Sequence, residues 1–116
     1  MELKLNTRKE SNILIFDCAG RIVLGEESGL LRETVKGALT DNKRIILNLG
    51  DVTYIDSSGL GTLVALATSA QNAGAQIKLI NLTKRVGDLL QVTKLLTVFD
   101  VYDNEKKAVD SFQVAA

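Results

Sequence analysis

The stretch RIILNLGDVTYIDSSGLGTLVAL, Arg44 to Leu66, decides how this chain is read. It opens on the run RIILNL, apolar at every position but Arg44 and Asn48. Such a run marks a strand covered on both faces, at the centre of a sheet. It then passes through Asp56, Ser57 and Ser58 into two glycines, Gly59 and Gly61. A helical pattern follows and continues to about Asn72, stopped by NAG with Gly74 placed as its C-terminal cap. Leu60, Leu63, Val64 and Ala67 form one apolar stripe on that helix, enough to seat it on a sheet. Thr62, Ala65, Leu66 and Ala73 lie off the stripe, on a small, weakly polar face that suits either more core or a shallow docking surface.

Upstream, ELKLNTRKE alternates Leu3 and Leu5 with polar neighbours, the pattern of an edge strand with one buried face. NILIFDCAG is richer in β-branched and aromatic residues and predicts a second strand, joined to the first by a turn at Ser11 and Asn12. Gly20 and Gly25 bracket a short third piece, RIVL. From Glu26 to Thr40 the period becomes helical, with Leu30, Leu31, Thr34, Val35, Ala38 and Leu39 on one side. Downstream, QIKLIN predicts a strand, and Thr83 caps a helix holding Val86, Leu89, Leu90 and Leu95. VFDVY predicts a last short strand. NEKKAVDSF predicts a final helix capped by Asn104 or Asp103, with Ala108, Val109 and Phe112 inward. Helix and strand alternate after a hairpin, so the fold class is α/β. We expect a mixed sheet of four to five strands with about four helices.

Length and composition suit a single domain over residues 1–116, with a core of about 5–112. Lys plus Arg and Asp plus Glu number 14 each, a zero net charge that argues against a nucleic-acid binder. Cys18 is the single cysteine, so no internal disulfide forms, and its apolar setting predicts a buried, inert thiol. MELKLNTRKES has no apolar core of a secretory signal, and no stretch has the apolar length to cross a bilayer. The expectation is a cytoplasmic protein without membrane partners, and nothing in the sequence demands more than a monomer.

The two serines invite several chemistries. A serine nucleophile needs a base, and the chain has no histidine, which excludes a Ser-His-Asp triad. Asp56 stands where a nucleophile elbow needs glycine. Lys43 and Lys78, the nearest lysines in sequence, lie more than a turn from Ser57. SSGLG offers free N–H groups at a helix start. However, it lacks the lysine of a P-loop, and no G-x-G-x-x-G follows a strand. Without histidine and with one cysteine, no metal-ligand cluster is recognisable. The expectation is therefore no enzyme, no cofactor and no metal. Capping explains one polar residue before the helix, not two serines. Gly59 and Gly61 each cost about 0.5–1 kcal/mol relative to alanine in a helix. That cost requires either close backbone approach or a surface kept low for a partner.

YIDSSGLGTLV after RIILNLGDV resembles the signature of STAS domains, and most of all the small single-domain bacterial anti-sigma factor antagonists. The likeness runs from about Leu5 to Phe112 and takes in the hairpin, AGRI, and the region IKLINLTKRVGDLLQVTKLLTVFDVYDNEKKAV. The resemblance implies a phospho-switched binding module. Its partner is an anti-sigma factor that is also a serine kinase. Unphosphorylated antagonist binds that kinase and frees the sigma factor, phosphorylated antagonist lets go, and a phosphatase restores it. Carried over, the acceptor is Ser57, with Ser58 the runner-up, and the partner-binding stretch is Asp56, Ser57, Ser58, Gly59, Leu60, Gly61 and Thr62. Phosphorylated members often carry acids soon after the glycine at AGRI. Here GRIVLGEES has Arg21 and Val23 instead, with Glu26 and Glu27 later. The alternative implied is a STAS subunit of another assembly, a stress-signalling complex or a lipid-transport system, in which Ser57 is structural only. A third possibility from a different class is a small enzyme or nucleotide-binding protein that uses the same loop.

Overall fold

The computed structural model describes residues 3–114, with the side chains of Gln113 and Val114 left aside. Glu2, the first residue of the expected edge strand, lies outside the described residues. Strand β1 (Leu3–Glu10) pairs antiparallel with β2 (Ile13–Ile22), Glu10 opposite Ile13. Ser11 and Asn12 make the turn with φ of 52° and 65°. Left-handed backbone at both central residues matches the twist of the flanking strands. Helix α1 (Glu26–Ala38), β3 (Arg44–Ile55), α2 (Ser57–Asn72), β4 (Gln76–Ile80), α3 (Lys84–Val92), β5 (Asp100–Tyr102) and α4 (Glu105–Val114) follow. The sheet order is β1-β2-β3-β4-β5, parallel from β2 onward.

The central strand explains its apolar run. Ile45, Leu47 and Leu49 enter the larger core cluster, built with residues of α1, α2 and α3. Ile46 enters a smaller one with Ile13, Ile15, Ile80 and the α4 residues Ala108 and Phe112. Alternation along one strand thus feeds two faces, three helices on one and α4 on the other. Cys18 is 2% exposed, and burial pushes its thiol up to about 12, so it carries no thiolate at neutral pH.

Two expectations are corrected. RIVL is not a separate strand: Arg21 and Ile22 finish β2, because β3 accommodates them by bulging. Between Asp17/Asn48 and Ala19/Asp51, and again between Gly20/Val52 and Arg21/Tyr54, β3 advances one residue more than β2. The Asn48 side-chain Oδ1 accepts the Gly50 N–H at 3.1 Å and the Asn81 side-chain amide N–H at 3.1 Å, which ties down the first bulge. Leu95 is not in α3, which ends at Val92. Lys94, at φ 62°, turns the chain out, and the Leu95 N–H returns to the Leu90 carbonyl at 2.8 Å.

The expected caps form. The Thr83 hydroxyl accepts the Val86 N–H at 3.3 Å, and the Asn104 side chain accepts the Lys107 N–H at 2.9 Å. Thr83→Ala is expected to lower stability by about 1 kcal/mol, measured as a fall in the urea midpoint with an unchanged slope.

Candidate functional site

The bulged ends of β2 and β3 meet the start of α2. Asp56 has extended backbone (φ −95°, ψ −177°) and caps the helix, its side chain accepting the Gly59 N–H at 2.8 Å. The second carboxylate oxygen accepts the Leu24 N–H at 3.0 Å, across the chain in the turn before α1. The Asp56 N–H donates to the Ile22 carbonyl at 3.2 Å. One aspartate therefore joins the end of β2, the approach to α1 and the first turn of α2. The Gly59 and Leu24 N–H groups, with smaller help from the Ser58 N–H and the Arg21 charge, hold its carboxyl below the usual carboxylate range. The sign follows. The stability from this ionised cap is whole above the unfolded pKa of about 3.9 and is lost as pH falls through the lower folded value. Asp56→Asn keeps a capping oxygen but no charge. The gap in urea midpoint between wild type and Asp56→Asn is expected to shrink as pH falls below about 4.

Gly59 is required by close approach. A Cβ there would lie 2.8 Å from the Ile22 carbonyl carbon and closer still to its oxygen. Gly61 is different: a Cβ there meets nothing within 4 Å. It lies exposed in an open groove of about 470 Å³ between α1 and α2, whose lining includes Leu24, Ser28, Arg32, Ser58 and Ala65.

Of the seven residues singled out in sequence, Ser57 and Gly61 are exposed, and Asp56 and Ser58 are half-buried. Gly59, Leu60 and Thr62 are buried, Leu60 in the main core, while Thr62 still borders the groove and donates its hydroxyl to the Ser58 carbonyl at 3.0 Å. Leu66, off the helical stripe, is core at 1% exposure, in the cluster that α1, α2 and α3 share with the sheet. Ala65 and Ala73 stay exposed. The Ser57 hydroxyl makes no hydrogen bond among the described residues, and Ser57 is the first residue of α2. No described group of three or more His, Cys, Asp or Glu side chains is placed to hold a metal ion.

Sequence reasoning missed two features at this end of the sheet. Leu24 is 75% exposed beside the Asp56 cap. Arg21 and Arg85 both lie over the Tyr54 ring, 5.5 and 5.8 Å from its centroid. An apolar residue next to Gly25 hinted at the first. Nothing local signals the second, which joins β2, β3 and α3.

The STAS domain profile matches residues 4–108. The chain belongs to the STAS domain family. A relative, the anti-sigma-B factor antagonist of Bacillus subtilis, is 28% identical over 101 residues, covering 87% of this chain and 92% of its own. The anti-sigma F factor antagonist of Paenibacillus polymyxa is 24% identical over 118 residues and is covered in full, as is this chain. The structure of the unphosphorylated anti-sigma factor antagonist SpoIIAA superposes with a TM-score of 0.72 at 15% identity, over 95% of this STAS chain and 98% of the other. That likeness places the five-stranded sheet and its helices in the STAS fold. No described helix of this STAS domain is long and apolar enough to cross a membrane.

Proposed function

We propose that this STAS domain is an anti-sigma factor antagonist, a binding module rather than an enzyme. It docks on an anti-sigma factor that is a serine kinase, and phosphorylation of Ser57 ends the docking. The observation that carries the reading is the exposed, unbonded Ser57 hydroxyl at the first position of α2, in a family with antagonist-named relatives.

The chemistry follows from that position. Asp56 already engages the Gly59 and Leu24 N–H groups, so it fixes the helix start whether or not Ser57 is modified. A phosphate on Ser57 stands in solvent at the positive end of a helix, where an anion is favoured by roughly 0.3–1 kcal/mol. Repulsion from the neighbouring Asp56 carboxylate offsets part of that gain. The free domain therefore stays folded. In a closed interface the same phosphate brings close to two negative charges without a matching cation, at a cost of several kcal/mol. The nucleotide and its metal belong to the kinase, and a phosphatase resets the cycle. Ser58 is the lesser acceptor because it is half-buried at the groove wall.

Incubation with the anti-sigma kinase and ATP, followed by peptide mass spectrometry, tests the acceptor. The expected result is one phosphate on Ser57 and none after Ser57→Ala. Unmodified Ser57, or modification at Ser58 alone, would sink the assignment.

A further inference from the structure

Three residues before Ser57, Tyr54 is 38% exposed near the end of β3. Arg21, its register partner on β2, and Arg85, in the first turn of α3, both place a guanidinium over its ring. Beside the ring, Ile55, Leu89 and Val92 line an apolar hollow of about 360 Å³. Arg85, Leu89 and Val92 share one stripe of α3, and Val92 is 79% exposed.

Neither guanidinium enters an ion pair among the described residues. The acid that borders the hollow, Asp88, is held by Lys84 at 2.8 Å. A guanidinium carries its N–H donors at the edge of its plane, in a fork that suits a carboxylate. Contact with the ring also restrains a long side chain before any partner arrives, which lowers the ordering entropy of binding.

We propose that this hollow is a docking surface for an acidic segment of a partner protein, an apolar side chain flanked by carboxylates. The occupant follows from complementarity. A small inorganic anion would leave the apolar floor exposed, and a purely aliphatic segment would bring no carboxylate to the two guanidiniums. The surface adjoins the Ser57 site, since Tyr54 and Ile55 of the hollow directly precede Asp56 and Ser57. The inference deepens the proposed function by naming the chemistry of one contact. It rests on that reading only for which protein carries the segment.

The test uses the full chain and the peptide acetyl-Glu-Glu-Leu-Glu-Glu-amide, followed by NMR at the Arg Nε groups and the tyrosine rings. Saturable shifts are expected at Arg21, Arg85 and Tyr54, weakening with salt and absent with the Lys-for-Glu peptide. The double variant R21Q/R85Q is expected to melt like wild type and bind the peptide about tenfold more weakly. Equal affinity of wild type and the double variant would overturn the proposal. So would the absence of saturable shifts, equal binding of a Ser-for-Leu peptide, or saturation by inorganic phosphate at a lower concentration than the peptide. None of these readouts involves the kinase. Failure here therefore leaves the Ser57 switch standing, and failure of the switch leaves the peptide result standing.

Discussion

Replacing Gly59 with alanine is expected to lower the stability of this domain by about 3 kcal/mol, near the upper end for overpacking a closed site. The added Cβ meets the Ile22 carbonyl, and backbone cannot rotate away as a flexible side chain can. To relieve the clash, α2 must lift from the end of β2. That movement strains the Asp56 N–H bond to Ile22 and the carboxylate bonds to Leu24 and Gly59. A loss of this size is a large share of the roughly 5–15 kcal/mol of a typical domain. Gly61→Ala is the control. It sits in the same first two turns but meets open space, so it is expected to gain about 0.5–1 kcal/mol from helix propensity. Urea titration of both variants reads the difference. A Gly59→Ala variant as stable as wild type would contradict the close approach that positions the site.

Much of this architecture was legible because it is written locally. The Ser11–Asn12 turn, the two-faced run at Ile45–Leu49, the Thr83 cap and the Gly74 stop each follow from a few adjacent residues. The failures share a cause, which is that they depend on what packs against the segment. The short piece RIVL divides because β3 bulges beside it, and no feature of RIVL announces a bulge in a neighbouring strand. Leu66 and Thr62 lie off the helical stripe yet are buried, since α2 packs against α1 as well as the sheet and a single stripe assumes one covering surface.

The candidate site divides the same way. That Asp56 and Ser57 begin a helix was legible; which of them caps it and which stands exposed came only from the structure. Two reasons for glycine, close approach or a low surface, were legible as alternatives. The structure separates them, giving the first to Gly59 and open space to Gly61. The Arg21–Tyr54–Arg85 grouping was not legible, because its members are 33 and 31 residues apart and meet only through register and the placement of α3. Arg21 stood out in sequence only as a departure from the acids of phosphorylated relatives. In the structure it gains a definite partner.

On the proposed function, phosphorylation of Ser57 is expected to carry the other large effect, on binding rather than folding. Ser57 is exposed and its hydroxyl makes no hydrogen bond among the described residues, so Ser57→Ala and Ser57→Asp are each expected to stay within about 0.5 kcal/mol of wild type in stability. Ser57→Ala should bind the kinase as unmodified protein does, and keep doing so in the presence of ATP. Ser57→Asp adds one charge instead of nearly two, so its loss of affinity should fall between those of the unmodified and phosphorylated forms. Unfolding of Ser57→Ala would instead mark Ser57 as a purely structural residue.

One phosphate on Ser57 is expected to be tolerated by the free domain and excluded by the complex. Isothermal titration of the anti-sigma kinase, first with unmodified protein and then with protein fully phosphorylated on Ser57, measures this directly. The expected result is an affinity weaker by on the order of 100-fold or more after phosphorylation, with the thermal melt of the free domain nearly unchanged. Equal affinity of the two forms would contradict it.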